Sequence, residues 1–191
     1  KSGAFFQLEE IRHDYHPQRF DRAELADFYE KLVLYFELND GLKHLPLSAS
    51  SKGYRKLKQE LNIEIHSAKT LDELRTLMQC EAVKSSFQQS RQLRGANIIC
   101  VYNSEGNLLK SIFTQLRNAA AHAHIHRIKQ GQIWYQIEHI YASRPKKGEV
   151  AKPSLRFFCC IKKTDFWRFV EAAKNLKTAV KPTPLEQDAQ H

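Results

Sequence analysis

Near residue 125 the spacing of apolar residues changes from helical to alternating, so any fold must join a helical part to a strand-bearing part. From Glu24 onward Leu25, Phe28, Tyr29, Leu32, Tyr35 and Phe36 fall on one helical stripe that ends near Asn39-Asp40-Gly41. Tyr54, Leu57, Leu61 and Ile65 predict a second helix after the polar run at residues 48–51. Thr70-Leu71-Asp72-Glu73 has the form of a capping box and opens a third, which Leu74, Leu77, Met78 and Phe87 carry toward Arg94-Gly95. Asn97–Tyr102 reads equally as buried strand or helix entry. A fourth stripe follows in Leu108, Leu109, Ile112, Phe113 and Leu116.

Beyond residue 125 the period becomes two. Ile133, Tyr135, Ile137, His139 and Tyr141 alternate with their neighbours behind a Lys129-Gln130-Gly131-Gln132 turn, predicting a β-hairpin. Leu155–Ile161 predicts another strand, and Thr164 begins a last helix carrying Phe166, Phe169, Val170, Ala173 and Leu176. The expected fold is therefore mainly α, a helical bundle with a small C-terminal β addition and a terminal helix. The length of 191 residues suits one domain over residues 1–181, divided into a helical core (1–124) and the β addition with the last helix (125–181). Residues 182–191 read as a flexible tail.

The net charge of +9 is unevenly spread: acidic residues are in excess only over residues 1–50, and Lys and Arg outnumber them in every later stretch. Any surface for a polyanion thus lies after residue 50. No run approaches the roughly 18 apolar residues of a membrane span. No signal-peptide pattern follows Lys1, and Cys80, Cys100, Cys159 and Cys160 form no CxxC, which together make cytoplasm the expected compartment. Walker, nucleophile-elbow and HExxH sequences are absent, which leaves nucleotide hydrolysis, esterase and metalloprotease chemistry unsupported.

Chemistry-bearing residues concentrate in LRNAAAHAHIH, Leu116–His126. At about 100° per residue, Arg117, Asn118 and His122 fall on the half of the fourth helix turned from its apolar stripe, with the small Ala121 among them. Arginine offers a charged fork that matches phosphate oxygens, and imidazole transfers protons near neutrality. A base could activate an RNA 2′-hydroxyl to attack the adjoining phosphorus, while Arg117 stabilises the developing charge. One histidine cannot serve as both base and acid unless water fills one role, so pairing two such helices in a homodimer would complete the site.

Arg117-Asn118-Ala119-Ala120-Ala121-His122 resembles the Arg-x4–6-His signature of the HEPN superfamily, where a polar residue often follows the arginine. The preceding helices resemble that fold, and the hairpin resembles a subgroup with a C-terminal β extension. The resemblance implies a homodimeric, metal-independent endoribonuclease that leaves a 2′,3′-cyclic phosphate and a 5′-hydroxyl. Arg117 and His122 would be catalytic, with Asn118 orienting the histidine or the substrate. Such proteins occur in toxin–antitoxin, CRISPR-associated and antiphage systems, which implies an antitoxin or other regulatory protein as a further partner. Some members bind RNA or protein without cutting, and this is the alternative function.

RNA would also run past His124, His126, Arg127, Lys146 and Lys147. Trp134, Tyr135 and Tyr141 would offer stacking faces, although packing within a sheet is their plainer use. The loop with Arg144, Lys146, Lys147, Lys152 and Arg156 is an ordinary solvated loop on the plainer view. His122, His124 and His126 also suggest zinc, but no cysteine or carboxylate stands near them in sequence, so no metal or cofactor is expected. His13, His16, His44, His66 and His139 lack such company and read as structural or surface residues.

Overall fold

The computed structural model describes residues 17–18, 20–38, 51–79, 97–142 and 153–175. Helix α1 runs from Arg22–Phe28 through a π-helical turn, Tyr29–Leu34, into Tyr35–Leu38. The other helices are α2 (Lys52–Glu60), α3 (Leu71–Gln79), α4 (Leu108–Ala121) and α5 (Lys163–Asn175). The strands are β1 (Pro17–Gln18), β2 (Ile63–Ala68), β3 (Asn97–Tyr102), β4 (Ile125–Gln130), β5 (Gln132–Ala142) and β6 (Pro153–Lys162).

These strands form one six-stranded sheet in the order β1-β4-β5-β6-β3-β2. The β2–β3 pair is parallel and every other pairing is antiparallel. This corrects the expected mainly helical bundle: the protein is α/β, and the hairpin supplies two of the six strands of a central sheet rather than an addition to a helical core. The physical reason lies in burial on both faces. Ile98, Ile99, Cys100 and Val101 of β3 are each at most 1% exposed. A strand covered on both sides shows no alternation to distinguish it from a helix.

Helices α1, α2, α4 and α5 cover one face of the sheet. There Phe28, Leu32 and Phe36 of α1 meet Ile112, Phe113 and Leu116 of α4, with Phe166 and Phe169 of α5 and Tyr135 and Ile137 of β5. Phe113 stacks on Phe169 at 5.4 Å between centroids and lies 5.1 Å from Phe36, so one ring ties three helices together. On the other face α3 packs Leu74, Leu77 and Met78 over Ile98, Cys100, Phe158 and Cys160.

Local signals start the helices, and the one at Thr70 is the capping box that the sequence predicts. Thr70 Oγ1 accepts the Glu73 N–H at 3.1 Å while the Glu73 carboxylate accepts the Thr70 N–H at 3.2 Å, completing the capping box. Asn107 accepts the Lys110 N–H and caps α4. The second expected helix is shorter than its stripe. It turns at Asn62, whose φ of 47° is left-handed, and Ile65 belongs to β2. Asn97 then pins the opening of β3, since its amide donates to the Leu61 carbonyl at 2.6 Å and to Asp165 at 2.9 Å. Its side-chain oxygen accepts the Lys162 N–H, tying β3, β6 and α5 at one point. The expected continuation of α3 beyond Gln79 and the tail at 182–191 lie outside the described residues.

Candidate functional site

Helix α4 ends in a tight reversal. The Ala123 N–H bonds the Ala120 carbonyl at 3.1 Å, and the His124 N–H reaches back to Ala119 at 2.9 Å. This is the Schellman pattern, and its left-handed position is held by Ala123 at φ 55° rather than by glycine. Because the chain doubles back here, His122 at the helix cap and His124 just before β4 come side by side, with ring centroids 6.0 Å apart. His122 is exposed and His124 half-buried, with an Nδ1 that is buried and has no hydrogen-bond partner.

The sheet adds a third imidazole that the sequence reading set aside. His139 projects from β5 on the face covered by α4, and its ring lies parallel to that of His122, 2° off, at 6.4 Å. It is 5% exposed, and its Nδ1 bonds the side-chain oxygen of the buried Gln115. Burial drives its pKa down to about 4, helped by the Arg156 guanidinium and, to a lesser degree, by the neighbouring His122, His124 and Arg117, so it is neutral near pH 7. The available signal was parity, for His139 continues the inward series Ile133, Tyr135, Ile137.

Arg117 lies against the end of α1, where it pairs with the Glu37 carboxylate, and its Nε is buried without a partner. Asn118 is half-buried, and its backbone carbonyl accepts the His122 N–H at 3.1 Å. The cluster also includes Arg156 of β6. Sheet register puts it in line, because Phe157 pairs with His139 across to β5 and with Val101 across to β3. His124, His139, Arg156 and Tyr102 thus mark a row across four adjoining strands, with the Glu138 N–H donating to the His124 carbonyl at 3.0 Å. This row lies at the carboxyl ends of the parallel strands β2 and β3, the end at which open α/β sheets bind ligands.

Other predicted residues lie elsewhere or have other duties. Arg127 projects toward α1 and pairs with the buried Glu24 at 3.2 Å, so its charge is already used in holding the fold. Glu24 also receives Lys163 at 2.8 Å and the Tyr135 hydroxyl. His126 is half-buried on β4 opposite Gln136. Lys146 and Lys147 lie outside the described residues, as do Arg144 and Lys152. Of the three aromatic candidates, Trp134 and Tyr135 are fully buried, whereas Tyr141 is 43% exposed. No group of three His, Cys, Asp or Glu side chains among the described residues is arranged to hold a metal ion. No helix among them is long and apolar enough to cross a membrane.

Chemically, the site offers two adjacent imidazoles open to solvent to different degrees, a neutral third ring behind them and two guanidinium groups. Comparison with protein-family models, curated proteins and solved structures found no match to the chain.

Proposed function

We propose that the end of α4 and the adjoining sheet row form an RNA-cleaving site, and that the protein is a metal-independent endoribonuclease. The observation that carries this reading is the pairing of His122 with His124 in one chain, 6.0 Å apart. That separation lets each imidazole address a different oxygen of one phosphodiester. One takes the proton from the 2′-hydroxyl as its oxygen attacks phosphorus; the other gives a proton to the departing 5′-oxygen. The P–O5′ bond breaks as the P–O2′ bond forms, leaving a 2′,3′-cyclic phosphate and a 5′-hydroxyl. DNA has no 2′-hydroxyl and cannot react this way.

Arg117 would stabilise the charge that grows on the phosphoryl oxygens. Its present partner supports that role, because a guanidinium fork that holds the Glu37 carboxylate is equally suited to phosphate. His139 is a positioning residue: neutral and fixed by Gln115, it gives His122 a flat neighbour. The six-residue HEPN-like motif supports the same chemistry, independently of the bundle that the sheet replaces. Two imidazoles in one chain also relieve the need for a second copy to supply the missing acid or base.

The test is incubation of the protein with single-stranded and structured RNA in excess EDTA, followed by end-group analysis. The parent should leave cyclic phosphates, and Arg117→Ala, His122→Ala and His124→Ala should each lower the rate at least about a hundredfold. The rate per chain should not depend on protein concentration, whereas a site shared across a homodimer gives a rate per chain that rises with it. RNA binding without cleavage favours the non-catalytic alternative, and cleavage that survives His122→Ala refutes the assignment.

A further inference from the structure

The ladder between β5 and β6 slips by one residue at the site. His139 pairs with Phe157 and Ile140 with Leu155, so Arg156 is the extra residue of a β-bulge. Bulges re-aim side chains and recur beside active sites. Here the bulge directs a cation between two tyrosines: the Arg156 guanidinium lies 4.0 Å from the centroid of Tyr141 and 5.9 Å from that of Tyr102. Its Nε is buried and has no hydrogen-bond partner. An arginine that merely closes the sheet end needs no exposed ring beside it, yet Tyr141 is 43% exposed.

Neighbouring strands lie about 4.8 Å apart, so Arg156 stands roughly 10 Å from His124, two strands away. One nucleotide spans such a distance from its phosphate to its base. We infer that Tyr141, braced by Arg156, is a stacking subsite for a nucleobase adjoining the scissile phosphate, and that the substrate is therefore single-stranded RNA. The inference rests on the ribonuclease reading above. A base inside a duplex has both faces covered by its neighbours, whereas an unpaired base can lie on a tyrosine. Stacking on a ring accepts any base, so this subsite selects for strandedness more than for sequence.

The test uses a fluorescein-labelled 2′-O-methyl RNA octamer, which binds but cannot be cleaved by 2′-attack, alone and annealed to its complement. Anisotropy should show tighter binding of the single strand by the parent. Tyr141→Leu should weaken that binding about tenfold or more and leave duplex binding unchanged, while Tyr141→Trp, which keeps a stacking face, should retain it. On cleavable RNA, Tyr141→Leu should raise KM with little change in kcat. Equal binding of the single strand by Tyr141→Leu and by a parent that cleaves RNA overturns this inference and leaves the ribonuclease reading standing. A parent that neither binds nor cleaves RNA overturns both.

Discussion

Acidification should destabilise the folded protein through His139, by an amount set by how the ring is buried. In the unfolded chain an imidazole takes up a proton near pH 6.5; in the folded protein His139 does so only near pH 4. Between those values the unfolded state binds more protons, so stability falls as pH is lowered. The burial that causes this is reinforced by the groups facing the ring: Arg156 from β6, His122 and Arg117 from α4 and its cap, and His124 just before β4. A difference of about 2.5 units corresponds to about 3 kcal/mol when fully expressed, and about 2 kcal/mol of it is lost between pH 7.5 and pH 5. Urea unfolding of the parent and of His139→Gln at both pH values isolates this contribution. The glutamine does not titrate, and the other titrating groups are common to both proteins. The parent should lose about 2 kcal/mol more than the variant over that interval. Losses that agree within about 0.5 kcal/mol would refute the burial argument for His139.

Three further outcomes follow from other parts of the fold. Glu24→Gln removes the charge shared by Arg127 and Lys163 and should lower stability by about 3–5 kcal/mol in chemical denaturation, because two cations lose their buried partner. Ala123→Gly should raise stability by about 1 kcal/mol by relieving the left-handed alanine, a gain readable as an increase in Tm. Cys100, Cys159 and Cys160 are buried, and burial pushes the Cys100 and Cys160 thiols up to about 12. A thiol-reactive disulfide reagent at pH 8 should therefore leave all three unmodified in the folded protein and label them on unfolding, as mass spectrometry would show.

The amphipathic helices were legible because each shows its stripe within a few turns, and α3 and α4 follow the sequence expectation in their starts. Of the sheet, the β4–β5 hairpin and β6 were legible as strands, whereas β2 and β3 were hidden for two physical reasons. Leu61 and Ile65 continue the four-residue spacing of α2, so the strand at Ile63–Ala68 reads as helix unless the left-handed turn at Asn62 is recognised. β3 is covered on both faces and carries no period, which leaves Asn97–Tyr102 open between strand and helix. The candidate site divides in the same way. Arg117 and His122 lie within six residues and announce themselves, whereas His139 and Arg156 join them only through strand register, which links residues far apart in the chain. Arg127 looked like part of the same basic run, but its alternate position on β4 turns it toward Glu24.

The strand order also bears on when such a site can exist. β6 lies between β5 and β3, although it is the last of the described strands along the chain. During synthesis a parallel pair and a hairpin can form early, but they remain separate half-sheets until β6 emerges from the ribosome and joins them. Val101 of β3 and His139 of β5 both pair with Phe157, which arrives on that strand beside Arg156. A nascent chain therefore carries Arg117 and His122 before β6 has joined the two half-sheets and brought Arg156 to the same end of the sheet.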